Sequence, residues 1–257
     1  MQRIDSRTSD KVKALCRLRD SAAARREEHA FFAEGLRLCR DLSSTCTLRT
    51  LLVTEKALAA HPELAALPGE HLLVGGAVAE KLSDTKAPQG VFALFDLPGQ
   101  AEAVAPGSRC LVLENVQDPA NVGALLRSAA AFGFGHVLLC GACADPFSPK
   151  ALRAGMGTVG RLRLHRTGVG EAAEALRAAG IPLYAAALQN SRPLDQVWPP
   201  PGAGVAVLVG NEGNGLTDEA LAAADAAVRI PMAGGVESLN AAVAGGVLLW
   251  HFREAGT

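Results

Sequence analysis

Runs of almost uninterrupted apolar residues alternate with helical segments along this chain, and this alternation restricts the fold more than any other feature. The strongest apolar runs are 110–115, 136–140 and 204–210, and helices are predicted between them at 121–133 and 171–180. Strands that are apolar on both faces are typical of a parallel sheet that helices cover on both sides. The alternation therefore predicts an α/β fold with a mostly parallel sheet.

The same alternation occurs twice, in a shorter and a longer form. A segment rich in Pro and Gly separates the two occurrences and is typical of a linker. We therefore predict a small α/β domain over 1–98, a linker over 99–108 and a larger domain over 109–257. In the first domain the strands are predicted at 48–54, 71–74 and 91–97. In the second, a strand is predicted at 227–232 and a final helix over 238–252.

Composition excludes several classes of protein. Hydrophobic residues make up 49% of the 257 residues, which is enough for a buried core and excludes a disordered chain. The apolar run 241–250 is about half of the roughly 20 residues that span a bilayer, and Gly245 and Gly246 interrupt it, so no membrane span is predicted. Six irregularly spaced cysteines and the lack of a signal-peptide core favour the cytoplasm.

Charge is distributed unevenly, although the formal net charge is only −1. The first 30 residues predict an amphipathic helix with a basic face. Such a face is either simply solvated or binds a polyanion. Its basic residues are Arg3, Arg7, Lys11, Lys13, Arg17, Arg19, Arg25 and Arg26.

Three short motifs match known sites only in part. The segment 155–160 has the letters of a dinucleotide fingerprint, but a predicted helix precedes it where a strand is required. The segment 210–217 has the spacing of a phosphate-binding loop, but Leu216 replaces its lysine. Cys140 and Cys143 form a single C-x-x-C pair with no second pair at zinc spacing. We therefore predict neither nucleotide hydrolysis nor a metal site.

Three segments rich in glycine and asparagine follow apolar strands, at 114–133, 208–216 and 230–240. In an open α/β sheet, ligands bind in the crevice outside the carboxyl ends of the strands. The segments also contain polar residues that turn formation alone does not explain. We therefore predict that they form one ligand pocket.

These segments resemble the three motifs of the SpoU family of RNA ribose 2′-O-methyltransferases, also called TrmH-type SPOUT enzymes. The matching stretches are DPANVGALLRSAAAFG, VGNEGNGL and IPMAGGVESLNAAVA, in the family's order. Upstream, FFAEGLRLCRDL and KLSDTKAPQGVFAL are similar to the small substrate-binding domain of many members. The chain departs from the family near Arg153–Gly157, where members often have a serine.

The resemblance implies a deep trefoil knot around the second and third motifs, against the general rule that chains avoid knots. It also implies S-adenosylmethionine as cofactor, held largely by backbone groups. By motif position, the residues that contact the cofactor are Gly210, Ile230, Leu239 and Ala186. Gly210 suits this role because a missing side chain lets a ligand approach the backbone.

The catalytic residues that the resemblance implies are polar. Arg127 would act on the ribose 2′-hydroxyl. Because arginine stays protonated, we favour hydroxyl positioning and charge stabilisation as its role and leave the proton acceptor open. The residues that would orient this arginine and the substrate are Asn121, Glu212, Ser238 and Asn240.

The resemblance favours ribosomal RNA over transfer RNA as substrate, with the first domain as the RNA-binding domain. It also implies a homodimer through the second domain, since the final helix carries the apolar residues Leu239, Val243, Val247, Leu248 and Trp250. A non-catalytic RNA-binding module on the same fold and an NAD-dependent oxidoreductase remain as alternatives. Binding of S-adenosylmethionine or of NAD discriminates among the three.

Overall fold

The computed structural model describes residues 1–99, 103–234 and 238–254. The chain divides into two compact units. The first comprises residues 1–99 together with 147–160, and the second comprises the described residues of 100–146 and 161–257. The sequence places 147–160 in the C-terminal domain, whereas in the structure this segment belongs to the first unit.

The helices and strands follow one another in the predicted alternating order. Up to residue 99 they are β1 (Gln2–Ile4), α1 (Asp10–Asp20), α2 (Ala22–Glu27), β2 (Ala30–Glu34), α3 (Leu36–Ser43), β3 (Leu48–Val53), α4 (Glu55–Ala60), β4 (Glu70–Val74), α5 (Gly76–Leu82) and β5 (Val91–Asp96). After residue 102 they are β6 (Arg109–Glu114), α6 (Pro119–Ala131), β7 (His136–Cys140), α7 (Pro149–Gly155), β8 (Arg163–Thr167), α8 (Val169–Ala178), β9 (Leu183–Ala186), β10 (Arg192–Pro193), β11 (Val205–Val209), α9 (Asp218–Ala223), β12 (Ala226–Arg229) and α10 (Ala241–His251).

The first unit is built on a five-stranded mixed sheet in the order β1-β4-β3-β5-β2. Strand β5 pairs antiparallel with β2 and β3, and the other pairs are parallel. Helix α1 begins at the N-cap Ser9 and buries Val12, Leu15 and Leu18 at helical spacing.

The segment 147–160 completes this first unit. Phe147 contacts Phe31 at 4.8 Å between ring centroids, and Arg153 forms an ion pair with Asp84 at 2.8 Å. Residues Ala151 and Leu152 of α7 are buried. The first unit therefore includes a helix that lies far from it in the sequence.

Most basic residues of the first thirty are engaged within the first unit. Arg3, Lys11 and Arg17 form ion pairs with acidic side chains. Lys13 and Arg19 do the same, and the buried Arg25 donates hydrogen bonds to backbone carbonyls at the end of α1. In the described part of the chain, only Arg7 and Arg26 of this set lack such a partner. The predicted basic face is therefore largely neutralised.

The second unit contains a seven-stranded sheet in the order β10-β12-β9-β11-β6-β7-β8, and every pair is parallel. This confirms the predicted α/β fold with a mostly parallel sheet. Alternate residues of the central strands face α8 and α9, and the others face α6 and α10. Helix α10 lies close against α6, because a Cβ atom on Gly245 would come within 2.3 Å of Leu125 Cδ2.

Two predicted boundaries differ from the structure. The strand predicted at 227–232 ends at Arg229, just before Ile230 and its neighbouring proline. The final helix begins at Ala241 and not at 238, because Asn240 caps it. The implied trefoil knot stays a prediction, since the third motif includes residues 235–237, which lie outside the described residues. Among the described helices, none is long and apolar enough to cross a membrane.

Candidate active site

The candidate site lies at the carboxyl ends of β6, β11 and β12. The loop after β6 leads into α6, the loop after β11 leads into α9, and the loop after β12 leads into α10. Strands β6 and β11 are neighbours, and β12 is separated from β11 only by β9. Since all four strands are parallel, the three motif loops leave the same edge of the sheet, as the sequence predicts.

Glu212 connects the second motif to the first through three hydrogen bonds. Its carboxylate accepts from the backbone N–H of Gln117 at 3.2 Å and from that of Asp118 at 3.1 Å. It also accepts from the Asn121 side-chain amide at 2.9 Å. Asp118 itself caps α6 by accepting from the backbone N–H of Ala120 at 3.0 Å. The start of α6 is therefore held against the loop after β11.

Asn240 connects the third motif to the same network. Its side-chain amide donates to Asn121 Oδ1 at 3.0 Å. Its own Oδ1 caps α10 by accepting from the backbone N–H groups of Ala242 and Val243, at 2.9 and 3.3 Å. One chain of side-chain hydrogen bonds, Asn240 to Asn121 to Glu212, thus crosses all three motifs.

The electrostatics of Glu212 keep it ionised. Partial burial on its own raises the pKa of this carboxyl group. The hydrogen bonds from Asn121 and from backbone amides outweigh that effect, so the pKa of Glu212 lies below its ordinary value. A carboxylate is an acceptor only, which fixes the Asn121 amide as the donor in this pair.

Arg127 and Ser238 do not join this network. Arg127 lies further along α6 than Asn121, and its side chain is exposed. Ser238 is also exposed and directly follows residues 235–237. Neither side chain forms a hydrogen bond or ion pair with any residue in the described ranges. Arg127 is therefore a charged side chain that no residue in the described part of the chain holds.

Position 210 requires glycine because the backbone of its own loop leaves no room for a Cβ atom. A Cβ atom there would lie 2.6 Å from the Gly215 carbonyl group and 2.7 Å from the Leu216 nitrogen. The loop closes through paired backbone hydrogen bonds between Asn211 and Gly215, at 2.9 and 3.0 Å. The reason suggested by the sequence, close approach of a ligand, is thus not needed to explain Gly210.

The other residues assigned to the cofactor lie at adjacent strand ends. Ala186 is the last residue of β9 and pairs with Val228 of β12. Ile230 directly follows β12 and is partly buried, and Leu239 is 37% exposed. Gly210 directly follows β11, the other neighbour of β9. The four positions therefore belong to one edge of three adjacent strands and the start of α10.

Two polar residues near the site, Glu114 and Asn115, are not predicted from the sequence. Glu114, at the end of β6, is buried and accepts hydrogen bonds from the backbone and the hydroxyl group of Thr217. Asn115 has a left-handed backbone, and its carbonyl accepts from the Asn211 side chain at 2.8 Å. An acid at the end of an apolar strand signals a buried partner, and asparagine is one of the few residues that tolerate positive φ.

The structure also shows the surroundings of two of the short motifs that match known sites only in part. Helix α7 precedes Gly157 in the fingerprint segment, so no strand leads into it. Cys140 and Cys143 are free thiols, and burial raises the pKa of Cys140 to about 12. Throughout the described ranges, no group of three or more metal-ligating side chains comes together.

Two family models match this chain. The SpoU rRNA methylase family model matches residues 108–250. A model of the MRM3-like substrate-binding domain matches residues 9–93.

Individual relatives match almost the whole chain. The 23S rRNA (guanosine(2553)-2′-O)-methyltransferase RlmP of Bacillus subtilis is 30% identical over 254 residues, covering 98% of this chain and 100% of that protein. The AdoMet-bound rRNA methyltransferase of Sinorhizobium meliloti has a TM-score of 0.85 at 30% identity, covering 97% of this chain and 96% of that one. The SpoU methyltransferase AviRb of Streptomyces viridochromogenes, solved with AdoMet, has a TM-score of 0.85 at 25% identity, covering 95% and 96%.

Proposed function

The chain belongs to the SpoU rRNA methylase family, and we propose that it transfers the methyl group of S-adenosylmethionine to a ribose 2′-hydroxyl of ribosomal RNA. The observation that carries this proposal is the hydrogen-bonded chain Asn240–Asn121–Glu212 across the three motif loops. It organises the loops at the edge of the sheet where a ligand binds, and Arg127 projects from the helix that it orients.

The residues at this edge fit S-adenosylmethionine. Its adenosine and methionine portions need backbone donors and small or apolar side chains, and Gly210, Ala186, Ile230 and Leu239 supply these at adjacent strand ends. We assign cofactor binding to these four residues. The solved relatives from Sinorhizobium meliloti and Streptomyces viridochromogenes contain AdoMet, which supports the same cofactor here. When bound, it supplies an already activated sulfonium methyl group.

The chain's own task is to place and activate the acceptor. A ribose hydroxyl is a poor nucleophile at neutral pH, so it must be aligned with the methyl group and lose its proton. Alignment alone supplies roughly 7–11 kcal/mol of a barrier of this kind. We assign Arg127 to this step, since no residue that the structure describes competes with substrate oxygens for its planar fork. Asn121, Glu212, Ser238 and Asn240 orient the substrate and the helix that carries Arg127.

Ribosomal RNA is the substrate that the relatives support, because RlmP is named for a 23S rRNA position. We assign RNA binding to the first unit, through cations that are free to meet phosphates. Its exposed cations with no partner in the described ranges are Arg7, Arg26, Arg37, Lys56 and Lys86. Transfer RNA is the alternative substrate. The cytoplasm stays the predicted location, and all six cysteines are free thiols.

We further propose a homodimer through α10. One face of this helix leaves three large apolar side chains exposed, Val243 (53%), Val247 (37%) and Trp250 (54%), and Leu239 (37%), just before the N-cap Asn240, is exposed as well. Because the three helical residues are spaced by three or four positions, they lie on a single stripe. Leu248, assigned to this face from the sequence, instead packs into the core at 1% exposure, because it lies on the opposite side of the helix.

Light scattering at micromolar concentration tests the dimer. Val243→Asp should produce a monomer, since it puts a charge in the centre of the stripe. The matched control Leu221→Asp, at a residue of α9 that is 39% exposed, should remain dimeric. A monomeric wild-type protein would contradict the proposal.

Two experiments test the proposed function. Calorimetry should detect binding of S-adenosylmethionine and none of NAD. Binding of NAD instead would favour the oxidoreductase, and binding of neither would favour a non-catalytic module. Mapping of ribose methylation across total RNA, from cells with and without this protein, should show one or a few ribosomal positions that lose the mark. Loss of marks only in transfer RNA would contradict the assigned substrate.

A further inference from the structure

Asn115 lies where three segments of the second unit meet, just ahead of the catalytic network. It directly follows β6, is partly buried and has a φ of 54°, in the left-handed region. Its backbone N–H donates to the Cys140 carbonyl at 3.1 Å. Its carbonyl accepts from the Asn211 side chain at 2.8 Å. Asn115 therefore ties the end of β6 both to the end of β7 and to the loop that carries Glu212.

The side chain of Asn115 fixes this arrangement. Its Oδ1 accepts from the backbone N–H of Ala142 at 2.8 Å, and the next carbonyl, of Val116, accepts from Ala144 at 2.9 Å. The loop is shaped for that side chain, because a Cβ atom on Gly141 would lie 2.4 Å from Asn115 Oδ1. The loop after β7 thus holds residues 115 and 116 by two hydrogen bonds, one to the Asn115 side chain and one to the Val116 carbonyl.

The placement of residues 115 and 116 affects Glu212, because the next two residues in the chain donate hydrogen bonds to it. The residues that follow, Gln117 and Asp118, give their N–H groups to the Glu212 carboxylate. Glu212 also accepts from Asn121, on the helix that carries Arg127. The position of the 115–116 backbone therefore decides whether Glu212 can reach all of its donors.

From these contacts we propose that Asn115 is a positioning residue for methyl transfer, acting through Glu212 and the start of α6. The inference rests on the proposed function. It requires the side-chain acceptor of Asn115, and not only its left-handed backbone. A misplacement of about 1 Å at a reacting group can cost on the order of 100-fold in rate, so the effect should appear in turnover before it appears in binding.

Two substitutions at position 115 distinguish the role of the side-chain acceptor from that of the left-handed backbone. Asn115→Gly permits the same positive φ but removes the acceptor, and Asn115→Asp keeps an acceptor oxygen and tolerates positive φ. With the full chain and an rRNA substrate, Asn115→Gly should lower kcat by about tenfold or more. The Kd for S-adenosylmethionine should stay within about threefold, and Asn115→Asp should retain kcat within about threefold of wild type.

A third variant leaves Asn115 intact and guards against a folding artefact. Ala142→Pro removes the N–H group that Asn115 Oδ1 accepts from, so it should lower kcat in the same direction as Asn115→Gly. Circular dichroism gives the folded fraction, to which each kcat is normalised.

The outcomes distinguish this inference from the proposed function. An inactive wild-type chain would overturn the proposed function and this inference with it. With an active wild type, wild-type kcat for Asn115→Gly would overturn the inference alone. So would equal losses in Asn115→Gly and Asn115→Asp, or a loss that disappears after normalisation to folded protein.

Discussion

Asn240 performs two tasks at once, and substitutions can separate them. Its Oδ1 caps α10, and its amide group donates to Asn121. Asn240→Ala removes both interactions. Asn240→Asp keeps an N-cap oxygen, which is as good a cap as asparagine, but a carboxylate cannot donate to Asn121 Oδ1. We expect Asn240→Ala to lower both stability and turnover, and Asn240→Asp to lower turnover alone.

The size of each effect follows from these contacts. Loss of an N-cap costs typically about 1 kcal/mol, and loss of a neutral hydrogen bond about 0.5–1.5 kcal/mol. Because Asn240 is exposed, we take the lower part of the combined range, about 1.5–2 kcal/mol. At about 2–4 °C per kcal/mol, Asn240→Ala should lower the Tm by about 3–8 °C. For Asn240→Asp the Tm should stay within about 2 °C, because a negative charge suits a helix N-terminus.

Thermal unfolding by circular dichroism and steady-state methyl transfer measure the two effects. Both variants should lose about tenfold or more in kcat, equivalent to about 1.4 kcal/mol. Ser148→Ala is the matched control. Ser148 caps α7 by accepting from Ala151 but takes no part in the network, so its loss should lower the Tm and leave kcat unchanged. Wild-type turnover in Asn240→Asp would show that Asn240 is only a helix cap and would refute the network.

Three further predictions concern Arg127, Glu212 and the first unit. Arg127→Ala and Arg127→Lys should each lower kcat by about 100-fold or more, with the Tm within about 1 °C, since the side chain has no partner in the described ranges; a largely active Arg127→Lys would contradict the assigned role. The pKa of Glu212 is lower in the folded protein than in the unfolded chain. The free energy of unfolding that its carboxylate contributes is therefore fully present above about pH 4.3, and it is lost as the pH falls through the folded-state pKa. Urea unfolding free energies of wild type and Glu212→Gln should therefore differ at pH 7, and the difference should shrink as the pH falls below about 4.3; a constant difference would contradict this. A truncated chain starting at Gly107 lacks the partners of 147–160, so we expect much of it to aggregate through the exposed Phe147. It also lacks the cations of residues 1–99, so its soluble fraction should bind RNA more weakly, with a shallower salt dependence. A stable truncated chain that binds RNA like the full chain would contradict both expectations.

The α/β fold and most helices and strands are predictable from the sequence because their signals are local. Apolar strands such as β6, β7 and β11 are buried on both faces, and an uninterrupted apolar run is the direct consequence of that burial. The position of 147–160 is not predictable in this way. The sequence of this segment predicts a helix with one apolar face, but nothing in the pattern indicates that this face packs in the first unit.

The site is predictable to a similar extent. Asn121, Glu212 and Asn240 come together as the motif order predicts, because parallel strands deliver their loops to one edge. Asn115 and Glu114 could not be singled out, since their roles depend on partners almost 30 and about 100 residues away. The basic first helix shows the opposite failure. Counting charges does not show that neighbouring acids already neutralise most of them.

The central claim is methyl transfer to a ribose of ribosomal RNA, and one measurement tests it most directly. The full chain is incubated with unmodified rRNA and methyl-labelled S-adenosylmethionine, the RNA is digested to nucleosides, and the labelled product is identified by mass spectrometry. We expect a single 2′-O-methyl nucleoside, which Arg127→Ala fails to produce. A label on a base, or equal labelling by wild type and Arg127→Ala, would contradict the account.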